Sequence, residues 1–212
     1  MKKINTHTQF FHFDFLSQRY GENCLKALFC VLILFCWQPE SADAQSGGRE
    51  FWFGVPQNYN NSGTRHLYLS GDEGTTGTIT VKDGSYTQNF TLPASGFLDI
   101  SLPTSVVFKG NGTIGNKGIN ITADNDVGVA VLNEITYTTD GNLVYPVTAL
   151  SNEYFVASYN GLGGAGSQLS SHFMVVAPFN NTSVTITGSV NTTITLNEGQ
   201  TYMAELGTSD AT

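Results

Sequence analysis

Gly161, Gly163 and Gly166 in "GLGGAG" have the G-x-G-x-x-G spacing that lets a backbone approach a pyrophosphate. That chemistry needs a helix next, whose N-terminus holds the phosphates, and an acid about 20 residues on. The following "SQLSSHFMVVAPF" reads as a strand, and the next acid is Glu198. The run is read as a glycine loop between strands. His66 and His172 are the histidines after residue 45, and no H-x-H or H-E-x-x-H spacing joins either to a metal. There is no G-x-S-x-G and no cysteine after Cys36, so nucleophilic catalysis has no recognisable carrier. Asp124 and Asp126 flank Asn125 in "TADNDVG". Such oxygens suit calcium, but further acidic ligands are missing, and D-N-D between two strands reads first as a hairpin turn. "EFWF" puts Phe51 and Phe53 on one strand face and Trp52 on the other. An exposed Trp52 would stack on a sugar or protein partner; the favoured reading is a strand buried on both faces. No catalytic residue, metal ligand or cofactor is assigned, and the ligand-binding residues are unknown.

The elements that carry these residues read as strands. "TGTITVKD", "GINITAD", "TSVTITG" and "TTITLNEG" alternate β-branched and polar residues between Gly, Asn and Asp. "VGVAVLNEIT" and "SHFMVVAPF" are nearly continuous apolar runs, expected to be central strands. No sustained 3.6-residue period follows residue 45. The fold expected is all-β, with tandem antiparallel β-sandwich-like modules of which the second is incomplete.

That incompleteness comes from an internal repeat. "REFWFG" matches "NEYFVA", "RHLYLSGDEGTTGTITV" matches "SHFMVVAPFNNTSVTIT", and "NFTLPASGFLDISL" matches "TITLNEGQTYMAEL", in the same order. The first copy has a continuation, "KGINITADNDVGVAVLNEITYTTDGNLVYPVTAL", with no counterpart after Leu206. The reading is a signal peptide over 1–44, a first β-domain over 45–150 and a second, truncated copy over 151–212. The chain is expected to be a fragment, with further domains of its full-length protein beyond it.

Export is read from the N-terminus. Lys2, Lys3, Arg19 and Lys26 precede the apolar "ALFCVLILFCW", and Ala42-Asp43-Ala44 fits a cleavage site. The run is too short for a membrane span, which needs roughly 18 apolar residues or more. Cys24, Cys30 and Cys36 all lie in this segment, so residues 45–212 hold no disulfide. Five basic residues (Arg49, Arg65, Lys82, Lys109, Lys117) face thirteen acidic ones there, a net of −8. Five scattered cations make no basic patch, which argues against nucleic acid as partner. Charged residues make up 12% of the chain, against about 25% in ordinary globular domains. Of seven N-x-[ST] sequons, from Asn60 to Asn191, some would be glycosylated in a eukaryotic host, and several arise by chance in so Asn- and Thr-rich a chain.

At "GREFWFGVPQNY", "KGINITADNDVGVAVLNEITYTTDGNLVYPVTALSNEYFVASY", "NNTSVTIT" and "LNEGQTYMAEL" the chain resembles the N-terminal domain of the IgGFc-binding protein family. The resemblance implies a β-rich, secreted or cell-surface, non-enzymatic binding or adhesion module with an extracellular protein or glycan ligand. It carries over no catalytic or contact residue. The lack of cysteine after the signal peptide points to a bacterial-type member. The rival expectation is an accessory carbohydrate-binding β-sandwich of a larger extracellular enzyme.

Overall fold

A computed structural model describes residues 46–59, 63–136, 138–157, 161 and 170–207. Strands take up more than half of the described residues, as the alternation requires. A large sheet is built from β1 (Gly47–Phe53), β3 (Thr64–Gly71), β4 (Thr76–Val81), β5 (Thr87–Thr91), β6 (Phe97–Leu102), β9 (Ile119–Ile135) and β10 (Thr138–Val144). Its main order is β5-β4-β9-β3-β6, with β1 and β10 also paired to β9, and every pairing is antiparallel. Short β2 (Val55–Pro56) and β7 (Val107–Phe108) run parallel to each other. Beyond residue 170 come β11 (Ser171–Val176), β12 (Thr182–Ile186), β13 (Thr192–Leu196) and β14 (Thr201–Gly207). β12 and β13 form a hairpin, and β11 pairs β14, whose other edge takes β8 (Thr113–Gly115).

β9 organises the large sheet. Its odd-numbered residues Ile119, Ile121, Val127, Val129 and Val131 point into one core with Phe51, Leu67, Leu69 and Ile79. Its first half pairs β4 and its second half pairs β3. The expected hairpin turn at Asp124–Asp126 does not form. The strand runs through these residues because they sit where β9 changes partner. Asp124 accepts bonds from the Thr76 backbone N–H and hydroxyl, both 2.8 Å, and Asp126 pairs with Arg49 at 3.0 Å. Both carboxylates are thereby engaged by different strands.

Phe51 and Phe53 are buried, as the "EFWF" alternation demands. Trp52 is half-buried. Its ring lies against Gly199, where an added Cβ would come within 2.8 Å of it. Gly199 has φ +73 and its carbonyl accepts from Gly118 N at 3.1 Å. A Cβ on Gly118 would stand 2.5 Å from that carbonyl, so both glycines are needed for the close approach.

The segments matched in sequence also pair alike. β3 and β6 match β11 and β14 in register: His66 faces Ser101 as His172 faces Glu205, and Leu67 faces Ile100 as Phe173 faces Ala204. The β4–β5 hairpin matches β12–β13, with Ile79 facing Gln88 as Ile186 faces Thr192. The turn bond Gly71 N to Gly96 O recurs as Ala177 N to Gln200 O. Gly74, at φ +81, is matched by Asn181, at φ 57. Two parts of the sequence reading are corrected. "NEYFVA" was expected to match β1, but residues 151–157 form no strand. β11 was expected to be central and covered on both faces, but among the described strands it pairs only β14 and is half-buried.

The β4–β5 turn is tied down by charge. Lys117 pairs with Asp83 and donates to Ser105 O at 2.7 Å. Desolvation acts to raise the Asp83 pKa, but the Lys117 ammonium and the Ser85 hydroxyl and amide outweigh it and hold the carboxyl to about 2. A carboxyl depressed in the folded state stabilises above its unfolded value of about 3.9 and loses that contribution as pH falls through the folded value. We expect the parent and Asp83→Asn to differ in thermal midpoint at pH 6, and the difference to fade between about pH 4 and pH 2. A difference that stays constant over that range would show that the bridge does not set the Asp83 titration.

Candidate interaction surface

The residues singled out for chemistry do not converge. The glycine run lies outside the described residues, apart from Gly161. His66 and His172 take equivalent places on β3 and β11, in separate sheets. His66 Nδ1 lies 2.9 Å from Asp99 Oδ1, with Glu134 at 3.8 Å from Nε2. His172 Nδ1 lies 3.1 Å from Ser170 O. Among the described residues, no three His, Cys, Asp or Glu side chains group as a metal site.

A cleft does open between β2, β9, β10 and β11, lined by Gln57, Asn58, Asn133, Asp140 and His172. Asn58 Nδ2 donates to Asp140 Oδ2 at 3.0 Å and to Thr138 O at 3.2 Å. Gln57 Oε1 and Asn133 Oδ1 are buried there without a hydrogen-bond partner. Its cavity volume is about 30 Å³, room for water and far below the ~300 Å³ of a small-molecule site. The arrangement can order water; it cannot enclose a substrate.

The exposed side chains of the described residues are the other candidates, and they are unevenly spread. Leu143 on β10 is 50% exposed, and Tyr145, Tyr154, Phe155 and Val156 follow it at 55%, 65%, 94% and 40%. Pro146 opens a single 3-10 turn at Val147–Ala149 within this run and meets Gly48 of β1. Ser151 N then donates to the Tyr154 hydroxyl at 2.8 Å. Exposed apolar side chains this close in sequence are candidates for an interaction site. Sequence reasoning missed it because it matched "NEYFVA" to the strand "REFWFG".

A second exposed group lies on the outer face of the large sheet. The His66 and Tyr68 rings are near parallel with centroids 5.7 Å apart, and Tyr68 and Phe97 repeat that spacing. Phe97 is 49% exposed. Cross-strand neighbours on one face account for the row: Tyr68 faces Asp99 and Ser70 faces Phe97.

Among the described residues no helix is long and apolar enough to cross a membrane. No curated protein and no solved structure matches the chain. The family model described as IgGFc binding protein matches residues 140–212, the stretch that begins in β10 and holds the Leu143–Val156 surface, and over those residues the chain is similar to that family.

Proposed function

We propose that this chain is a secreted or cell-surface, non-enzymatic binding module that adheres to an extracellular protein through the Leu143–Val156 surface. One observation carries the reading: the exposed apolar run falls inside the residues matched by a family whose name describes binding to a protein, the Fc part of immunoglobulin G. Aromatic side chains supply large contact area at low entropic cost, which suits Tyr145, Tyr154 and Phe155 to anchor such an interface. Export would proceed by removal of residues 1–44, and the two copies of the repeat, 45–150 and 151–212, would act as tandem β-domains. The second reading, a carbohydrate-binding module, is favoured by the Tyr68 and Phe97 rings, since exposed rings offer faces to sugars.

A binding panel separates the two. Immobilised extracellular proteins, immunoglobulin Fc first among them, and neutral glycans are offered to the parent, to Tyr145→Ser/Phe155→Ser and to Phe97→Ser. The expected result is binding to a protein, weakened at least about tenfold in the double variant, the loss of one anchor's worth of interface energy. Thermal midpoints should be unchanged, because both side chains are exposed. Binding confined to glycans, lost in Phe97→Ser and intact in the double variant, would establish the second reading instead.

A further inference from the structure

The cleft between β2, β9, β10 and β11 gathers oxygens that no group among the described residues satisfies. Asn133 on β9 and Asp140 on β10 are directly opposed, so their side chains share one face of the sheet, with Cβ atoms about 5 Å apart. Asn133 is 6% exposed, and its Nδ2 donates to Pro56 O at 3.2 Å. A carbonyl can only accept, so this bond fixes which end of the amide is nitrogen. The other end, Oδ1, is a buried acceptor without a partner. Asn58 cannot supply the missing donor. Its Nδ2 donates to Asp140 Oδ2 at 3.0 Å and to Thr138 O at 3.2 Å, and its Oδ1 accepts from Tyr59 N at 2.6 Å. Gln57 Oε1 is a second buried oxygen without a partner. Two bare amide oxygens and a carboxylate thus line a cavity of about 30 Å³, the scale of one water or one bare ion. Arg65 is turned away from them. It faces Asn133 in register, but its Nη1 reaches the Thr104 hydroxyl, just beyond β6 on the side of β3 away from β9.

We propose that this cleft binds one calcium ion through Gln57 Oε1, Asn133 Oδ1 and the Asp140 carboxylate, with water completing the shell. Calcium takes carboxylate, amide-carbonyl and water oxygens in flexible geometry, whereas magnesium demands a near-ideal octahedron and parts with its water reluctantly. An Asn133 amide already held by a backbone bond suits the less exacting ion. Zinc would recruit His172, which lines the same cleft, but it wants four ligands from Cys, His and carboxylates. Among the described residues no three His, Cys, Asp or Glu side chains group that way. A single carboxylate sets a modest affinity, on the order of 0.1–1 mM, the range of extracellular calcium modules. The ion satisfies both buried oxygens and ties the Gln57–Asn58 segment to β9 and β10. This site is separate from the Leu143–Val156 surface and does not rest on the binding reading.

The test titrates the chelator-stripped chain with calcium chloride and, separately, magnesium chloride, read by calorimetry and by thermal midpoint. The expected result is saturable binding of one calcium per chain, a midpoint that rises with calcium, and magnesium at least about tenfold weaker. Asp140→Asn removes the one charged ligand and should weaken calcium binding at least about tenfold. Gln57→Glu adds a second charged ligand and should tighten it at least about tenfold, a gain that no loss of fold can produce. Asp126→Asn, at the other pair of neighbouring carboxylates, should leave it unchanged. Absence of saturable binding up to about 10 mM calcium would overturn the proposal and leave water as the occupant. Equal response to magnesium would overturn it by showing diffuse attraction to the chain's net charge of −8. Binding lost in Asp126→Asn and kept in Asp140→Asn would overturn it by moving the ion to Asp124–Asp126.

Discussion

Phe51→Ala is expected to lower the stability of the first copy by about 3–5 kcal/mol, the cost of emptying a buried aromatic site. Phe51 is fully buried in the cluster with Ile121, its direct partner on β9. The loss is compounded by position, since among the described strands β1 is hydrogen-bonded to β9 alone. Residues 45–212 contain no cysteine, so no covalent link limits the damage. Chemical denaturation followed by tryptophan fluorescence reads the effect, with Trp52 as a neighbouring reporter. An unchanged midpoint would mean that β1 does not pack as described.

Arg65 supplies the second large effect. It begins β3 facing inward and is 1% exposed. Its Nη1 donates to Gly63 O at 2.8 Å and to the Thr104 hydroxyl at 3.3 Å, while Nε and Nη2 are buried without partners. Burial pushes its pKa down from the ordinary guanidinium value. No carboxylate repays the desolvation, and buried charges are costly unless paired. Arg65→Met keeps the side-chain volume and removes the charge, so it should be neutral or stabilising. Arg65→Ala removes the volume as well, and should fall below Arg65→Met by about 2–5 kcal/mol, the cost of a Met→Ala cavity. If Arg65→Met is the less stable of the two, the guanidinium makes a contribution that the two hydrogen bonds do not explain.

How much of this was legible in the residues varies by element. Ile79 and Val81, or Ile119 and Ile121, alternate with polar neighbours, and burial follows that alternation because the strand period is two. The likeness of β3 and β11 was legible for the same reason: His66 and His172 open strands of like pattern, and their pairs with β6 and β14 share a register. Arg65 was not legible. Its strand position is inward by parity, but charge argues for the surface, and only the packed fold shows parity winning. Asp124–Asp126 misled because turn residues are also good strand-edge acceptors when a neighbouring N–H, here that of Thr76, is presented. The departure of β8 from the first copy to pair Ile114 with Tyr202 is a long-range choice that no local pattern encodes. Similarly, "NEYFVA" has strand composition yet no partner strand among the described residues, and composition does not report partners.

The claim that this chain works by binding a protein through Leu143–Val156 is tested most directly by site-specific photocrosslinking. A benzophenone side chain replaces Phe155, which is 94% exposed, and in a separate preparation replaces Thr87, exposed on β5. Each is irradiated with the protein partner that emerges from the binding panel. The account predicts a covalent adduct from position 155 and none from position 87. Adduct from position 87 alone, with position 155 silent while binding persists, would contradict it.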